Sequence, residues 1–586
     1  MKIRRRWDGF TTASGIGTAA MSLAILALIG TILLLSVNPD PNSGLSTPTL
    51  DNFGRILTDP QAGVMLGNSL IFASVALLVA LCFGVPLAWL VECTDLPGKS
   101  VISGLMLTSL LIPSFASAAG WLFLLHPRIG LINVAAKTLF SLHDAPFDIL
   151  SLTGMGWVEG LSRAPIAYLM TATAFRAMDR SLEEAALTAG APVHGVMLRI
   201  ILPLMRPALL SCAIYIFMIA FGSFDVPAII GWGNRTFTFS TYLYLLTNPQ
   251  DVFPGFGKPA ALASLMLAPA LLLVWWARRM MSHGHRYAVV SGKAYRPRLI
   301  KLGAGRLVGW LFVGNYITLS LVLPLLVLVW ASLLPFLQLP SAKAMSFVSL
   351  NNFRALPWDL FLTGLQHTAI LALLTPPLVL GFSFAFSWIG FRTKLPGRTI
   401  LDQIAFAPHA IPHIVLAMGL LLMALYVIQP VLPVYGTVGL LLFAFTIGWL
   451  SYGTRITNTG LLQLHKELEE AAHISGASTW STIWRVVLPL MSRGLILAWI
   501  YIAILTAREL TLSVLLSTPG NVTLPVMIWN MWLSGGLGKA SAALVVFLGC
   551  MLPLMLIYLL QSRPKASRQK ASLPSLSPGI SLEAAG

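Results

Sequence analysis

Few side chains in this sequence have the type and spacing that catalysis or ligand binding requires. Gly98-Lys99-Ser100 has the form of the end of a phosphate-binding loop, but the first glycine of that pattern would fall at Cys93. A similar segment 299 residues later reads Gly397-Arg398-Thr399, without the lysine. The sequence therefore predicts no nucleotide site, no catalytic residue and no bound cofactor, so any ATP must be used by another subunit.

Two histidines are spaced like metal ligands on a helix. His409 and His413 are four residues apart, but Pro408 and Pro412 interrupt the helix and no glutamate follows His409. We predict polar groups that line a helix kink, with a transient contact to iron or substrate as the alternative. The four cysteines show no zinc-ligand spacing either, so we predict no metal site.

Three ionisable residues, Asp225, Arg508 and Glu509, lie just beyond long apolar stretches. Ionisable groups at membrane depth usually face a cavity or a partner and often mark a transport route. We predict that these three line a translocation pathway; the alternative is an outer-interface location or a structural ion pair. Arg508 and Glu509 point about 100° apart on a helix, so they need not pair with each other.

Composition defines the elements that must position these residues. The chain has 586 residues, of which 56% are hydrophobic and 10% charged, whereas a soluble protein needs about 25% charged residues. A soluble enzyme, a disordered chain and a disulfide-rich secreted domain are excluded. The predicted class is all-α, a polytopic helical membrane protein with about twelve spans. These spans lie near 16–36, 64–91, 101–125, 158–178, 201–224, 259–277, 308–334, 363–390, 400–428, 434–458, 494–517 and 540–561.

The distribution of basic residues predicts the orientation. With the N-terminus inside, most of the 38 Lys and Arg residues fall in loops on one side, which marks those loops as cytoplasmic. The first apolar stretch is too long for a signal peptide and is predicted to be an uncleaved helix. Both termini are then cytoplasmic, and the net charge of +17 is a topology signal, not a sign of nucleic-acid binding.

The two halves of the chain repeat. Leu96-Pro97-Gly98-Lys99 and Ile112-Pro113 recur 299 residues later, and a segment that begins E-E-A-A recurs 286 residues later. About 13 extra residues in the first half predict an outer-face excursion around 126–157. Six spans separate equivalent points, so the repeats are parallel. The predicted domains are a first repeat at 1–277, a basic linker at 278–307, a second repeat at 308–561 and a disordered cytoplasmic tail at 562–586.

The repeated E-E-A-A segments lie in cytoplasmic loops at 181–203 and 467–489. In the first, Ser181 and Glu184 form a capping-box pattern, and Gly190 is placed to end the short helix in a left-handed conformation. Glu467 replaces the capping serine in the second. Two copies on one membrane face predict a pair of docking sites for a pair of identical partners. The predicted docking residues are Glu183, Glu184, Ala185, Ala186, Gly190, Glu469, Glu470, Ala471, Ala472 and Gly476.

An E-A-A-x-x-x-G segment followed by L-P resembles the cytoplasmic loop of permease subunits of bacterial ABC-type importers. The fused arrangement of two halves resembles the ferric-iron class of these permeases. The resemblance implies the type I importer permease fold in the bacterial inner membrane. It also implies two copies of a cytoplasmic ATP-binding-cassette ATPase seated on the two loops, and a periplasmic or lipid-anchored solute-binding protein on the outer face.

The resemblance leaves the solute open. Ferric iron is the leading expectation, and thiamine, a polyamine or an organophosphonate is the alternative. A twelve-helix secondary transporter is a more distant alternative, but it would need intramembrane acid–base groups, of which few are present. A scaffold or sensor would leave the duplicated loop without a purpose.

Overall fold

The computed structural model describes residues 9–38, 48–178, 186, 188–247, 256–282, 299–395 and 397–562. Within these ranges the chain forms helices, and its only β contact is an isolated bridge between Thr94 and Ile300. The predicted all-α class is confirmed. Most of the predicted linker, 283–298, and of the predicted tail, 563–586, lies outside the described residues.

The first half contains ten helices of seven or more residues within the described ranges. A π-helical turn, Met197–Ile201, leads into the eighth of them. The ten are α1 (Gly9–Ser36), α2 (Asp51–Leu57), α3 (Pro60–Cys93), α4 (Lys99–Leu111), α5 (Ser114–Leu125), α6 (Leu131–Phe140), α7 (Leu152–Ala177), α8 (Leu202–Phe221), α9 (Phe239–Thr247) and α10 (Gly257–Ser282).

The second half repeats this order without an equivalent of α6. π-Helical turns at Thr318–Val322 and Ile483–Val487 lead into its second and eighth helices. Its helices are α11 (Gly305–Ile317), α12 (Leu323–Leu333), α13 (Trp358–Arg392), α14 (Arg398–Ala410), α15 (His413–Met423), α16 (Val438–Gln463), α17 (Lys466–Ile474), α18 (Leu488–Ala507), α19 (Thr511–Leu516), α20 (Leu524–Leu533) and α21 (Leu537–Ser562).

Helices occupy all twelve positions at which the sequence predicts spans. By length and composition, seven helices in the described part of the chain can cross a membrane, or nine if two bent pairs each count as one span. The remaining three predicted positions hold α7, α10 and α16, each of 26 residues. A helix of that length reaches about 39 Å, enough for a hydrocarbon core of about 30 Å.

Two predicted spans are broken in the middle. The axes of α4 and α5 differ by 91°, and those of α14 and α15 by 107°. The breaks fall at Ile112-Pro113 and Ile411-Pro412, where each isoleucine is extended, with ψ of 135° and 126°. Proline lacks an N–H and disfavours the helical conformation of the residue before it. The break at Pro412 agrees with the predicted helix kink, whereas the break at Pro113, within the predicted span at 101–125, was not predicted.

The repeat seen in the sequence is also a repeat of contacts. Asn68 Nδ2 donates to the carbonyl of Phe237 (2.8 Å), and His367, 299 residues after Asn68, places Nδ1 2.9 Å from the carbonyl of Val522. The next residues behave alike: Ser69 accepts from the amide of Phe239, and Thr368 accepts from the amide of Leu524. The register at offset 299 therefore extends to side-chain hydrogen bonds.

The first span of each half, α1 in the first half and α11 with α12 in the second, packs against the other half. Helix α1 packs against α13 and α15, while α12 packs against α5. A Cβ atom on Gly419 would lie 2.8 Å from Leu28 Cδ2, and one on Gly120, its counterpart at offset 299, would lie 2.6 Å from the carbonyl oxygen of Pro324. The missing side chains allow these close crossings. The two halves are thus interleaved.

The bundle has two ends, which we call the loop face and the opposite face. The loop face holds Gly190, Gly476 and the C-termini of α3 and α7, which the ion pair between Arg176 and Glu92 joins (Nη1–Oε1 3.4 Å). The opposite face holds the starts of α3 and α10.

The extra residues of the first half lie between α5 and α7, where Asn133 Nδ2 donates to the carbonyls of Leu125 (2.9 Å) and Phe147 (2.8 Å).

Candidate functional site

The first predicted docking loop is partly described. Glu183, Glu184 and Ala185 lie outside the described residues, as does the capping residue Ser181. Ala186 and Gly190 are described, and Gly190 has φ of +84°. The amide of Ala191 donates to the carbonyl of Ala186 (3.0 Å), which is the long hydrogen bond of a Schellman ending. The predicted left-handed helix end is confirmed here.

The second loop ends its helix in the same way. Gly476 has φ of +83°, and the amide of Ala477 donates to the carbonyl of Ala472 (3.0 Å). The exposed surface of α17 contains Glu470, Ala471 and Gly476, while Ala472 is half-buried. Gly476 lies just after α17, so the exposed residues lie on the helix and at its end.

Glu469 does not share that surface. Its carboxylate turns inward and pairs with Arg392, with Nε 2.6 Å from Oε1, and each side chain is 5% exposed. Glu469 is therefore buried and bonded within the chain, away from the exposed surface of α17. No local sequence pattern indicates this pair, because Arg392 lies 77 residues before Glu469.

The three predicted pathway residues lie close together, where the ends of several helices from both halves meet. Asp225, after α8, accepts hydrogen bonds from Ser114 Oγ (2.5 Å) at the start of α5 and from Thr511 Oγ1 (2.8 Å) at the start of α19. Thr511 is the counterpart of Asp225 at offset 286. Since counterparts of the two halves touch here, the pseudo-symmetry axis passes through this cluster.

Arg508 joins the second half to the helix break of the first. Its Nη1 donates to the carbonyls of Leu110 (2.6 Å) and Ile112 (3.0 Å), which the break leaves without helical partners. Its counterpart at offset 286 is Gly222, where a Cβ atom would lie 2.7 Å from Pro412 of the other break. Each half therefore contacts the broken helix of the other, and only one of the two contacts carries a charge.

Glu509 has a different partner from Arg508. The sequence predicted this from helical geometry, but both residues lie after the end of α18 and before α19, outside a helix. Its Oε1 lies 3.1 Å from His413 Nδ1 and accepts from the amide of Leu512 (3.1 Å). His413 is the first residue of α15, so it lines the helix kink as predicted. His409 stacks on Tyr215 at 5.2 Å between ring centroids. Within the described residues no group of three His, Cys, Asp or Glu side chains could hold a metal ion.

A buried pair that sequence analysis missed lies beside this cluster. Arg163 Nε is 2.7 Å from Glu159 Oε1, and Glu159 is fully buried, with its Oε2 lacking a hydrogen-bond partner. The two are four residues apart on α7, a spacing that could have predicted the pair. By contrast, Ser114, Asp225, His413, Arg508 and Glu509 each keep some solvent-accessible surface. These five side chains, which we call the central cluster, are therefore not fully buried.

The sequence matches a family of known proteins. The family model for the binding-protein-dependent transport system inner membrane component matches the chain twice, over residues 84–283 and 377–565. The chain belongs to this family. It is an ABC importer permease, with one match in each half of the chain.

Two relatives resemble this permease over most of its length. The ferric transport system permease protein FbpB of Actinobacillus pleuropneumoniae is 24% identical over 513 residues, which are 86% of this chain and 72% of the relative. The putative ferric transport system permease protein FbpB 1 of Haemophilus influenzae is 25% identical over 458 residues, 76% and 68% of the two chains. The spermidine/putrescine transport system permease protein PotB of Escherichia coli is 28% identical over 273 residues, 44% of this permease and 92% of the relative.

The opposite face of the permease carries a carboxylate with several donors. Asp59, which caps α3, accepts from the hydroxyl of Tyr242 (2.6 Å) and from Nζ of Lys258 (2.9 Å). The hydrogen bond from Tyr242, followed by that from Lys258, lowers the pKa of Asp59 from 3.8 to about 2. This cluster joins the starts of α3 and α10 to α9.

The lowered pKa predicts how acid affects the fold. The ionised form of Asp59 stabilises the native state above a pH of about 4, and this contribution of about 1–2 kcal/mol is lost as the pH falls through about 2. Asp59→Asn should therefore lower the melting temperature at pH 5 and have little effect at pH 2. Thermal melting of the purified permease at both values measures this. An equal effect of the substitution at both pH values would contradict the prediction.

Proposed function

We propose that this permease forms the route for ferric iron in an importer driven by a separate pair of ATPases. The observation that carries the proposal is that relatives named for ferric transport match it across both halves, over 86% and 76% of its length. In this proposal the first repeat spans 1–277 and the second 308–561, joined by the basic linker 278–307. Their charge distribution orients the loop face and both termini toward the cytoplasm of a bacterial cell.

The loop face is the proposed seat of the ATPases. The two loops end in the same Schellman geometry on one face, which suits two copies of one partner. In the proposal, Glu183, Glu184, Ala185, Ala186 and Gly190 contact one ATPase, and Glu470, Ala471, Ala472 and Gly476 the other. The solute-binding protein docks on the opposite face.

The central cluster is the proposed translocation route. Asp225 and Glu509 supply carboxylate oxygens, the ligand type that hard cations prefer, and both keep accessible surface on the pseudo-symmetry axis. The cluster lies where broken helices of both halves meet, so a relative movement of the halves changes it directly. Iron is the transported solute here, not a resident cofactor.

The solute assignment is tested on the binding protein and then on transport. The binding protein that co-purifies with the permease should melt at a higher temperature with ferric ion, and its complex with permease and ATPase in proteoliposomes should import labelled iron. The polyamine class is the second candidate because of the similarity to the spermidine/putrescine permease. Stabilisation and uptake with spermidine, thiamine or a phosphonate, and none with iron, would overturn the choice of iron.

ATP hydrolysis is predicted to need the partner. Because the sequence carries no complete phosphate-binding loop, the purified permease in detergent should hydrolyse no ATP. A phosphate-release assay before and after addition of the purified ATPase measures this. Turnover that persists after all ATPase contaminants are removed would contradict the prediction.

A further inference from the structure

A single guanidinium group joins three helices behind the second docking loop. Arg392 is the last residue of α13, and its Nε pairs with Glu469 of α17. Its Nη2 also donates to the carbonyls of Leu461 (3.0 Å) and Leu464 (3.1 Å) at the end of α16. These carbonyls belong to the last turn of a helix and lack helical partners. The end of α13, the end of α16 and the docking helix α17 are thus held together at one buried point.

The chemistry of arginine suits this junction. Its planar fork can donate to a carboxylate and to two carbonyls at once, whereas a lysine offers one flexible point charge. Both side chains of the pair are 5% exposed, so water competes little for their hydrogen bonds. The docking helix is therefore fastened by a directional contact and not by apolar packing alone.

The first half has no matching arginine at this position. The counterpart of Arg392 at offset 299 is Cys93, whose thiol cannot form a charged pair of this kind. The carbonyl of Cys93 instead accepts a hydrogen bond from the amide of Ile300 (3.0 Å). This bond attaches the chain that follows the linker to the end of α3. The sequence places an arginine at this position only in the second half.

The junction also connects to the central cluster. Helix α16 runs from the carbonyls that Arg392 binds to Trp449, whose ring lies 5.1 Å from that of His413. His413 in turn contacts Glu509. A displacement of α17 is therefore transferred through Arg392 to α16, and α16 touches the residues of the proposed route.

We propose that Arg392 is a positioning residue that transmits movement of the second docking helix to the membrane core. This inference rests on the proposed function, in which an ATPase moves that helix. Arg392 does not touch the ATPase, because it is buried within the permease. Its loss should loosen α17 and uncouple ATP hydrolysis from transport, and should not simply remove the ATPase-binding surface.

The first test uses the permease without any partner. Cleavage by a glutamate-specific protease at the exposed Glu470, read by mass spectrometry, reports how often α17 detaches. Arg392→Gln should speed this cleavage by about tenfold, and Arg392→Lys should restore part of the protection. Arg176→Gln, which removes a more exposed ion pair on the same face of the first half, is the matched control and should leave the rate unchanged.

The second test uses the assembled complex. We expect Arg392→Gln to transport several-fold less solute per ATP hydrolysed than the wild type. The double variant Arg392→Gln/Glu469→Gln leaves no unpaired buried charge, so it should insert normally and still show both effects. Wild-type cleavage and wild-type solute per ATP in the double variant would overturn the inference. A wild-type permease that binds no ATPase would refute the proposed function instead, and the cleavage assay alone would still decide whether Arg392 holds α17.

Discussion

Gly190→Val and Gly476→Val are expected to give a stable, inserted permease that retains no ATPase and transports nothing. Both glycines have φ above +80°, where a β-branched residue costs about 1–2 kcal/mol. Among the residues that the structure describes, and apart from the two chain neighbours, no atom lies within 4 Å of a Cβ placed at either position. The substitution therefore acts on the helix end and on the surface that faces a partner.

Co-purification of the ATPase with each variant, together with the amount of permease in the membrane, measures this effect. Gly535→Val is the matched control, because Gly535 also has a positive φ (+80°) and open surroundings but lies on the opposite face. The control should keep the ATPase. Normal retention with abolished transport would mean that the loops transmit force without anchoring, and normal retention with normal transport would remove the docking assignment.

The structure changes the expected ranking of the two variants. The sequence favours Gly476→Val as the more damaging change, because the second loop lacks the Ser181 cap and its helix would depend more on the partner for order. Arg392 supplies an anchor for that helix within the permease. The helix of the second loop therefore need not depend more on the ATPase for order than that of the first loop. We expect the two variants to be similarly impaired.

Glu509→Gln should reduce transport by about tenfold or more while leaving insertion and ATPase retention intact. Glutamine keeps an oxygen that can accept from the amide of Leu512, so the start of α19 stays capped. It removes the negative charge beside His413 and from the proposed cation route. Uptake into proteoliposomes at equal amounts of complex measures the effect.

The control for this prediction is Asp402→Asn, which neutralises an exposed carboxylate of α14 outside the docking loops and the central cluster. It should leave uptake close to that of the wild type. If Glu509→Gln were also to transport normally, the charge of Glu509 would have no part in the route. Its role would then be to cap α19, which glutamine can perform as well.

Local patterns in the sequence predicted much of this molecule. Apolar runs marked the helices, and the glycine after each E-A-A segment predicted the left-handed helix ends now seen at Gly190 and Gly476. The kink at Pro412 was predicted, but the break at Pro113 was not. Proline alone does not locate such breaks, because Pro86 and Pro165 lie inside continuous helices.

Contacts between distant segments could not be predicted in the same way. Arg508 was identified as a pathway residue, but nothing local indicates that it binds the carbonyl of Ile112, 396 residues earlier. Glu469 shares its composition and register with the docking residues, and only the fold brings Arg392 to it. Hydrophobic periodicity likewise does not reveal that α1 packs on the second half, because any apolar helix face can pack on any other.

The packing of the first span of each half against the other half affects how the protein folds during its synthesis. Helix α1 is synthesised before α13 and α15, against which it packs, and more than 300 residues separate it from them. Until those helices are made, the surface of α1 that contacts them has no partner, and Gly120 of α5 likewise lacks Pro324. The first half therefore cannot reach its final packing before α15 has been made, and fusion of the halves in one chain keeps α1 and α5 tethered to their later partners.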